Sequence, residues 1–592
     1  MTVSTSSLNR TTVTLQQLAE SSNKHSLQQT LTAMIAAFVQ PPLAQTLSTQ
    51  TRRNQQDSIA AIPFHQFCLD SRQLKKNDVF VLLKSQALQS QTLHSQKSRD
   101  YLIQAANSAA FVFSEVDPIA LLTTADMNTS SLADDSQSFA QQQLIALPCP
   151  VLYVPNIRDF LGDLIQAHLQ YQQSVTLPAV VAVTGTNGKT TISQLVAQLA
   201  QLMGMSSAVM GTAGNGKLGA LVQASHTTGD ALAVQQFLYQ MGQENVDLLA
   251  LEASSHGLDQ QRLQGMPVSV AIYTNLSRDH LDYHADMAEY AAAKAKLFDK
   301  THFPELTHAI INLDDEHAQI MLDMAHASAL TVWTYSLNPT KNATFVAATI
   351  NPSLQGVEIA VRYNVSNNTG DVHLDSTDSN HDQTNTITVI SPLLGHFNVA
   401  NLLAAIAATV AIGTDIDHDI KRIAAVVPQL QGAVGRMQRV PSNEGCFIVD
   451  YAHTPDALQQ VLASLKTHCD GQLWAVFGCG GDRDAGKRPL MAQAGLAGAD
   501  QIILTADNPR TEDPNMILQD MQAGMSAEQY QRTHIEPARQ KAIEYAVQQA
   551  AVDDIVVIAG KGHETYQEIN NVRYDFDDSV VLQNALQQAG RV

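Results

Sequence analysis

The stretch "AVVAVTGTNGKTTISQLVAQLAQLMG", beginning at Ala179, constrains the fold more than any other part of the chain. A buried, β-branched run ends in Gly185-Thr186-Asn187-Gly188-Lys189-Thr190-Thr191, and an amphipathic helix follows at once. Glycines let such a loop wrap closely round an anion with its backbone N–H groups pointing inward. Lysine supplies charge to the outer phosphates, and the first threonine can ligate Mg²⁺. The usual pattern has another glycine five residues before the Gly-Lys pair. Val183 stands there, which argues for a variant phosphate loop rather than a generic ATPase. A chance glycine turn is the alternative, but strand, loop, Lys-Thr and helix all occur in order.

The same alternation continues through "SAVMGTAG", "LLALEASS", "VAIYTNLS" and "HAIINLDD", the pattern of a parallel sheet with crossover helices. A polar stretch at 364–386 interrupts it and reads as a mobile hairpin or loop; "HFNVANLLAAIAATVAI" then closes the domain. A third series, "CFIVDYA", "LWAVFG", "QIILTA" and "DIVVIAG", forms a C-terminal α/β domain. Upstream, residues 1–60 are rich in Ser, Thr and Gln and read as helical pieces with a loosely held leader. "DVFVLL", "AAFVFSE" and "PVLYVP" are short strands. "KSQALQSQTLHSQKS" reads as an extended loop and "TADMNTSSLADDSQS" as a surface insertion. The expected architecture is α/β in three domains. Residues 1–178 form a small α/β domain, 179–436 a central P-loop parallel-sheet ATPase domain, and 437–592 a Rossmann-like α/β domain. Open parallel sheets bind ligands at the carboxyl ends of their strands, so the turns there carry the chemistry.

Charge narrows the ligands. Lys+Arg 35 against Asp+Glu 56 gives a net −21, which excludes a general nucleic-acid or anionic-membrane surface. Anions must be held by local devices: loop amides, helix N-termini and single arginines. Five scattered cysteines without metal-ligand spacing fit free thiols in a reducing cytoplasm. The N-terminus has no apolar signal core, and "LLAAIAATVAIG" is too short to span a bilayer. The expectation is a cytoplasmic monomer.

"GTNGKTT" followed by "EASSHGLDQQR", "TNLSRDHLDYH" and "AAAKAKLF" resembles the Mur ligases, cytoplasmic ATP-dependent amide-forming enzymes of peptidoglycan synthesis. Folylpolyglutamate synthetase shares the loop and general architecture but should lack "EASSHGLDQQR" and the C-terminal motifs. The resemblance implies ATP and Mg²⁺ as cofactors and assigns residues. Glu252 ends a strand and is a hard oxygen ligand; with His280 it is implied to bind a second Mg²⁺. Lys294, fourteen residues after His280, is implied to carry a carbamate, which turns a cation into an anionic oxygen ligand. A helical lysine is ordinarily a solvated side chain, and Lys296 competes for the role. Asn275 and Asn312 are expected near the nucleotide, or are simply turn residues after strands. Arg436 and Asp450, in "GAVGRMQRV" and "VDYAHTPDAL", match positions that reach ATP from the C-terminal side.

The UDP-substrate is implied to meet Leu69 and Ser71 of "CLDSRQLKKNDVFV", a His94-Ser95-Gln96 segment, and Thr227 and Thr228 of "HTTGD". His226 stands where the family often has asparagine. Ser254, Gln260 and Arg262 are implied to grip the muramoyl-peptide end, with ordinary loop polarity as the alternative. "FGCGGDRDAGKRPLM", "DNPRTEDP" and "GKGHETYQ" bring Arg483, Asp507, Asn508, Pro509, Arg510, Gly560 and Glu564 to strand ends of one sheet. Two arginines and two acids suit a zwitterion with more than one carboxylate and amine. A lone Arg510 on a turn is otherwise a solvated loop residue. Among Mur ligases "DNPR" is associated with meso-diaminopimelate, and lysine-adding relatives differ there. The implied reaction therefore joins meso-diaminopimelate to UDP-MurNAc-L-Ala-D-Glu through an acyl phosphate. The rivals are a lysine-adding relative, a folylpolyglutamate-type ligase, and a nucleotide-gated binding protein that has lost ligase activity. Intact Lys189, Glu252, His280 and Lys294 argue against the last.

Overall fold

The structure is a computed structural model and describes residues 12–22, 24–37, 59–85, 91–123, 140–223, 227–353, 356–365, 385–413 and 415–592. The chain divides into two compact units: residues 1–178 with 229–245 and 259–266, and residues 179–228 with 246–258 and 267–592.

In the first unit, β1 (Phe67–Cys68), β2 (Val79–Leu82), β3 (Phe111–Ser114) and β4 (Val151–Tyr153) form a parallel sheet in sequence order. The helices at Leu15–Ser21 and His25–Ala37 bear out the helical pieces, while residues 1–11 and 38–58 of the expected leader lie outside the described residues. Leu15, Leu18, Leu27 and Leu31 are buried in the same core as Phe64, Phe111 and Leu164. The expected extended loop around 84–98 is corrected in part, because Gln91–Ala106 is a helix. Its buried residues Leu102, Ala105 and Ala106 sit in the C-terminal part of the helix, so its N-terminal half reads as polar loop. The insertion at 124–139 and His226 lie outside the described residues.

The second unit holds two larger sheets. The first contains β5 (Ala179–Thr184), β6 (Ser207–Gly211), β7 (Gly214–Gly216), β8 (Leu248–Glu252), β9 (Val268–Tyr273), β10 (His308–Asn312), β11 (Thr331–Ser336), β12 (Phe345–Ser353), β13 (Gly356–Tyr363) and β14 (Asn385–Ser391). Their order is β14-β13-β12-β11-β10-β9-β5-β8-β6-β7, parallel from β12 to β6. Strands β12, β13 and β14 pair antiparallel. The 364–386 stretch thus joins two paired strands, although residues 366–384 lie outside those described. The parallel core was legible because its strands are buried on both faces and read as continuous apolar runs. The β12–β14 edge shows alternating burial and was missed.

The other large sheet has β15 (Gln438–Val440), β16 (Cys446–Asp450), β17 (Leu473–Phe477), β18 (Gln501–Leu504), β19 (Thr533–Ile535) and β20 (Ile555–Ala559), in the order β15-β16-β20-β17-β18-β19. All pairs but β15–β16 are parallel. A small antiparallel ribbon, Tyr566–Ile569 with Val572–Asp575, follows. In both sheets the carboxyl edge carries the conspicuous residues. β5 lies between β8 and β9, the point at which chain order reverses, where open sheets leave a crevice.

Candidate active site

The phosphate loop leaves β5 at Gly185, whose φ is +148°; a Cβ there would lie 1.8 Å from Thr274 Oγ1, so only glycine fits. Gly188 then begins the helix Lys189–Leu202 with no side chain capping its first amides. That helix end is open to an anion. Lys189 Nζ donates to the carbonyl oxygens of Gly185 and Thr186, 2.9 Å each, which folds the side chain back along the loop. Burial lowers the pKa of this ammonium, opposed by Glu252 and Asp279.

Thr190 Oγ1 donates to Glu252 Oε1 at 2.9 Å and accepts from Arg436 Nη2 at 3.3 Å. The Glu252 carboxylate also accepts from Thr212, through its backbone N–H at 2.9 Å and its hydroxyl at 3.1 Å. Thr212 was not singled out from sequence, although a hydroxyl directly after β6 was the available signal. Arg436 stacks 4.1 Å above the Tyr451 ring, and its buried Nε has no partner among the described residues. Asp450 is buried and accepts from the backbone N–H groups of Met437 and Ala452, 2.7 Å each; it braces the chain that carries Arg436.

Lys294 sits on the helix Met287–Ala295 and is fully buried. Its Nζ donates to Gly185 O at 2.9 Å, the carbonyl that Lys189 also uses, and lies 4.4 Å from the Tyr290 ring centroid. Burial, then the Lys189 charge, push its pKa well below the ordinary value. Tyr290 and Thr186 meet through their hydroxyls at 3.2 Å, tying this helix to the loop. His280 has φ +55° and stands 3.6 Å from the Asp279 carboxylate and 5.0 Å, ring to ring, from His256. Burial lowers its pKa to about 3, with Lys189 and Lys294 contributing, so it is a neutral imidazole next to the loop. Asn275 Oδ1 accepts from Asn187 N–H at 2.9 Å, and Asn312 Nδ2 donates to Thr274 O at 2.8 Å. Thr191 is buried on the loop helix. Among the described residues no three or more His, Cys, Asp or Glu side chains form a metal cage. A hydroxyl–carboxylate pair beside an open helix end fits Mg²⁺ instead, which keeps waters and is shared with phosphate oxygens.

The C-terminal motifs also converge. Asn508 Nδ2 donates to Glu564 Oε2 at 2.9 Å, and Lys561 lies between Asp507, Asn508 and Glu564. Arg510 Nη1 donates to Gly481 O at 2.7 Å, with Nε 3.8 Å from Glu568 Oε2. A Cβ on Gly481 would lie 2.0 Å from Pro509 O, so the glycine turn and the "DNPR" turn touch backbone to backbone. Gly560 has φ +119° and ends beside Asp507. Arg483 is more exposed and reaches Asp282 at 3.6 Å; Lys487 pairs with Asp279 at 3.7 Å and Arg278 with Asp484 at 3.1 Å. Those three pairs join the segment around His280 to the one around Arg483. Sequence reasoning missed Lys561, whose signal was a lysine between two glycines after a buried strand.

The residues expected to hold the UDP-substrate fall in both units. In the first, Leu69 packs on the core, Ser71 is half-buried on the following turn, and Gln96 is an exposed helical residue bonded to Asp100. His94 and Ser95 belong to that helix, but their side chains lie outside the described set. Arg262 donates to Gln260 Oε1 at 2.7 and 2.9 Å. In the second, Thr228 Oγ1 donates to Glu252 O and accepts from Ser254 Oγ, both 2.9 Å, while Thr227 accepts from Thr212 at 3.0 Å.

Comparison with known proteins identifies the family. The Mur ligase middle domain matches residues 183–409, and the Mur ligase glutamate ligase domain matches 435–562. The UDP-N-acetylmuramoyl-L-alanyl-D-glutamate–2,6-diaminopimelate ligase of Haemophilus ducreyi is 38% identical over 532 residues, 89% of this chain and 96% of its own. The protein of the same name from Pseudomonas aeruginosa is 44% identical over 419 residues, 69% of this chain and 77% of its own. A solved structure of a ligase of that name is 42% identical, with a TM-score of 0.60 over 90% of this chain and 97% of the other. Mycobacterium tuberculosis folylpolyglutamate synthase, at 17% identity and a TM-score of 0.52 over 74% of this chain and 96% of its own, shares the fold. The chain belongs to the Mur ligase family.

Proposed function

We infer that the protein catalyses ATP-dependent addition of meso-2,6-diaminopimelate to UDP-MurNAc-L-Ala-D-Glu, releasing ADP and phosphate, in peptidoglycan precursor synthesis. The observation that carries the choice of amino acid is the turn Asp507–Arg510. It sets a guanidinium beside a pocket with two half-buried carboxyl groups, Asp507 and Glu564, and relatives that match most of the chain are named for the same reaction. The side-chain carboxylate of D-glutamate attacks the γ-phosphorus of ATP, giving an acyl phosphate and ADP. The neutral amine of diaminopimelate then adds to the acyl carbon. The tetrahedral adduct expels phosphate, and the amine proton leaves with the collapse to amide.

This chain's part is positioning and charge neutralisation. The amides at the start of the Lys189 helix, Lys189 itself and Arg436 surround the phosphates. Thr186, Asn187, Asn275 and Asn312 hold the loop in shape. Thr190 is the residue to hold one Mg²⁺, and Glu252 with His280 a second, supported by Lys294 as a carbamate; bound there, the ions would offset phosphate charge. The burial of Lys294 supports the carbamate, because a lysine with a lowered pKa offers a neutral amine to CO₂. Leu69, Ser71, the His94–Gln96 segment, His226, Thr227, Thr228, Ser254, Gln260 and Arg262 are assigned to the UDP-substrate. Arg483, Asp507, Asn508, Pro509, Arg510, Gly560 and Glu564 are assigned to diaminopimelate. We assign residues 1–178, 179–436 and 437–592 to UDP-substrate, ATP and amino-acid binding. The working form is a cytoplasmic monomer without nucleic-acid or membrane partners. The net charge of −21 speaks against nucleic-acid and anionic-membrane partners, and no helix among the described residues is long and apolar enough to cross a membrane.

A coupled ADP-release assay with UDP-MurNAc-L-Ala-D-Glu tests the reading. Turnover should require diaminopimelate and should be far slower with lysine or no amine. Equal turnover with lysine would reassign the amino acid, and turnover with a folate acceptor alone would reassign the enzyme.

A further inference from the structure

Lys561 is fully buried at the start of the turn after β20. Its Nζ lies 3.0 Å from Asn508 Oδ1, 3.2 Å from Glu564 Oε2 and 3.4 Å from Asp507 Oδ1, and 5.7 Å from the Tyr566 ring centroid. We propose that Lys561 is a positioning residue for the incoming amino acid: it orients the Asn508 amide and holds the Asp507 and Glu564 carboxylates together, so that their oxygens can receive the substrate's ammonium. This rests on the reading of the pocket as the diaminopimelate site.

The Asn508 amide shows how the lysine acts through its neighbours. Oδ1 accepts from Lys561 Nζ and from the Glu568 backbone N–H, the latter at 3.0 Å. An amide turned the other way would set its NH₂ against both donors, so Nδ2 is directed at Glu564. Without the ammonium, one backbone N–H would hold the amide. The two acids need the same charge. Burial raises both carboxyl groups. At Asp507 the charges of Lys561 and then Arg539 overcome it and leave the group below its ordinary value. At Glu564 burial and the Asp507 charge prevail, and the group stays above its own. His453 also faces Asp507, and Tyr451 and Tyr566 lie within the reach of the Glu564 charge. Arg539 is committed to Asp578 by bonds of 2.7 and 2.8 Å, which leaves Lys561 as the cation bonded to the pocket acids among the described residues. Spread over three polar groups instead of closed on one carboxylate, it holds a constellation.

The test is Lys561→Met in the full chain, assayed by ADP release with ATP, UDP-MurNAc-L-Ala-D-Glu and diaminopimelate. Losing a charge that orders several ligand contacts should raise the KM for diaminopimelate about 10- to 100-fold. The KM values for ATP and UDP-substrate should change by no more than about twofold, with kcat at saturating diaminopimelate largely kept. The acid limb of kcat/KM for diaminopimelate should move to higher pH, because both carboxyl groups would protonate earlier on acidification. Lys561→Gln keeps a donor for Asn508 without the charge. It should recover part of the KM yet keep the displaced acid limb, and it carries the same readouts should Lys561→Met fail to fold. An unchanged KM and acid limb, or a uniform loss of kcat with every KM unchanged, would overturn the proposal. If the unmutated protein released no ADP in response to diaminopimelate, the reading of the pocket itself would fall.

Discussion

Arg510→Ala separates the guanidinium from the loop that carries it. The backbone there is held whatever the side chain. Arg510 N–H donates to Glu568 O at 3.0 Å, Asn570 N–H donates to Arg510 O at 2.6 Å, and residue 510 bridges Ile569 in parallel register. The left-handed φ of +51° strains alanine no less than arginine, so the substitution removes contacts and leaves the turn. Nη1 serves Gly481, Nε faces Glu568, and no partner among the described residues takes Nη2; the side chain is 24% exposed. A carboxylate meeting this fork would make two charge-assisted hydrogen bonds, each worth about 1.5–3 kcal/mol. Partial exposure and competition from Glu568 reduce the sum to roughly 2–4 kcal/mol, about 30- to 1,000-fold in the KM for diaminopimelate. A site whose donors are wholly unpaired without the right substrate rejects an analogue by about 10⁴–10⁵. Here Gly481 and Glu568 already satisfy part of the guanidinium, so preference over lysine should be closer to 10²–10³. The assay is steady-state ADP release at saturating ATP and UDP-substrate, with diaminopimelate and lysine compared by kcat/KM. Arg510→Ala should collapse that ratio toward unity and leave the KM for ATP unchanged. Arg510→Lys should not restore it, because a point charge cannot make the paired bonds. If Arg510→Ala kept both affinity and selectivity, the arginine would be a loop residue and nothing more.

Lys189→Ala should cost at least about 10²–10³ in kcat with an unchanged circular dichroism spectrum, as expected for removing a preorganised contact to developing charge. Near-normal turnover would remove the phosphate-loop assignment. Lys294→Ala should be inactive and partly rescued by small carboxylates, while Lys296→Ala stays mild; rescue by amines instead of carboxylates would contradict the carbamate. Arg539→Met leaves Asp578 charged and buried, so urea unfolding monitored at Trp474 in β17 should lose about 3–5 kcal/mol. A change under about 1 kcal/mol would show that this pair is not held as the structure has it.

Much of the phosphate loop's conformation was legible because its determinants are local. The β5 run, Gly185, Gly188 and Lys189 lie within a few residues, and their conformations follow from backbone freedom and helix geometry alone. Glu252, Asn275 and Asn312 could be placed at strand ends because parallel strands are buried on both faces and announce themselves. The helix from Gln91 was hidden because its polar N-terminal half has no apolar period, and the β12–β14 edge because it is only partly buried. Partners were illegible altogether. Lys294 and Lys189 meet on one carbonyl across 105 residues, a conclusion that needs β5 and the Met287–Ala295 helix side by side. Lys561 was not singled out from the sequence; only the ends of β18 and β20 bring Asp507, Asn508 and Glu564 around it. The sequence by itself determined where backbone could bend and which runs must be buried. Tertiary structure alone decided which charges share a buried space, because electrostatic energy depends on distance and desolvation, and neither is a property of position along the chain.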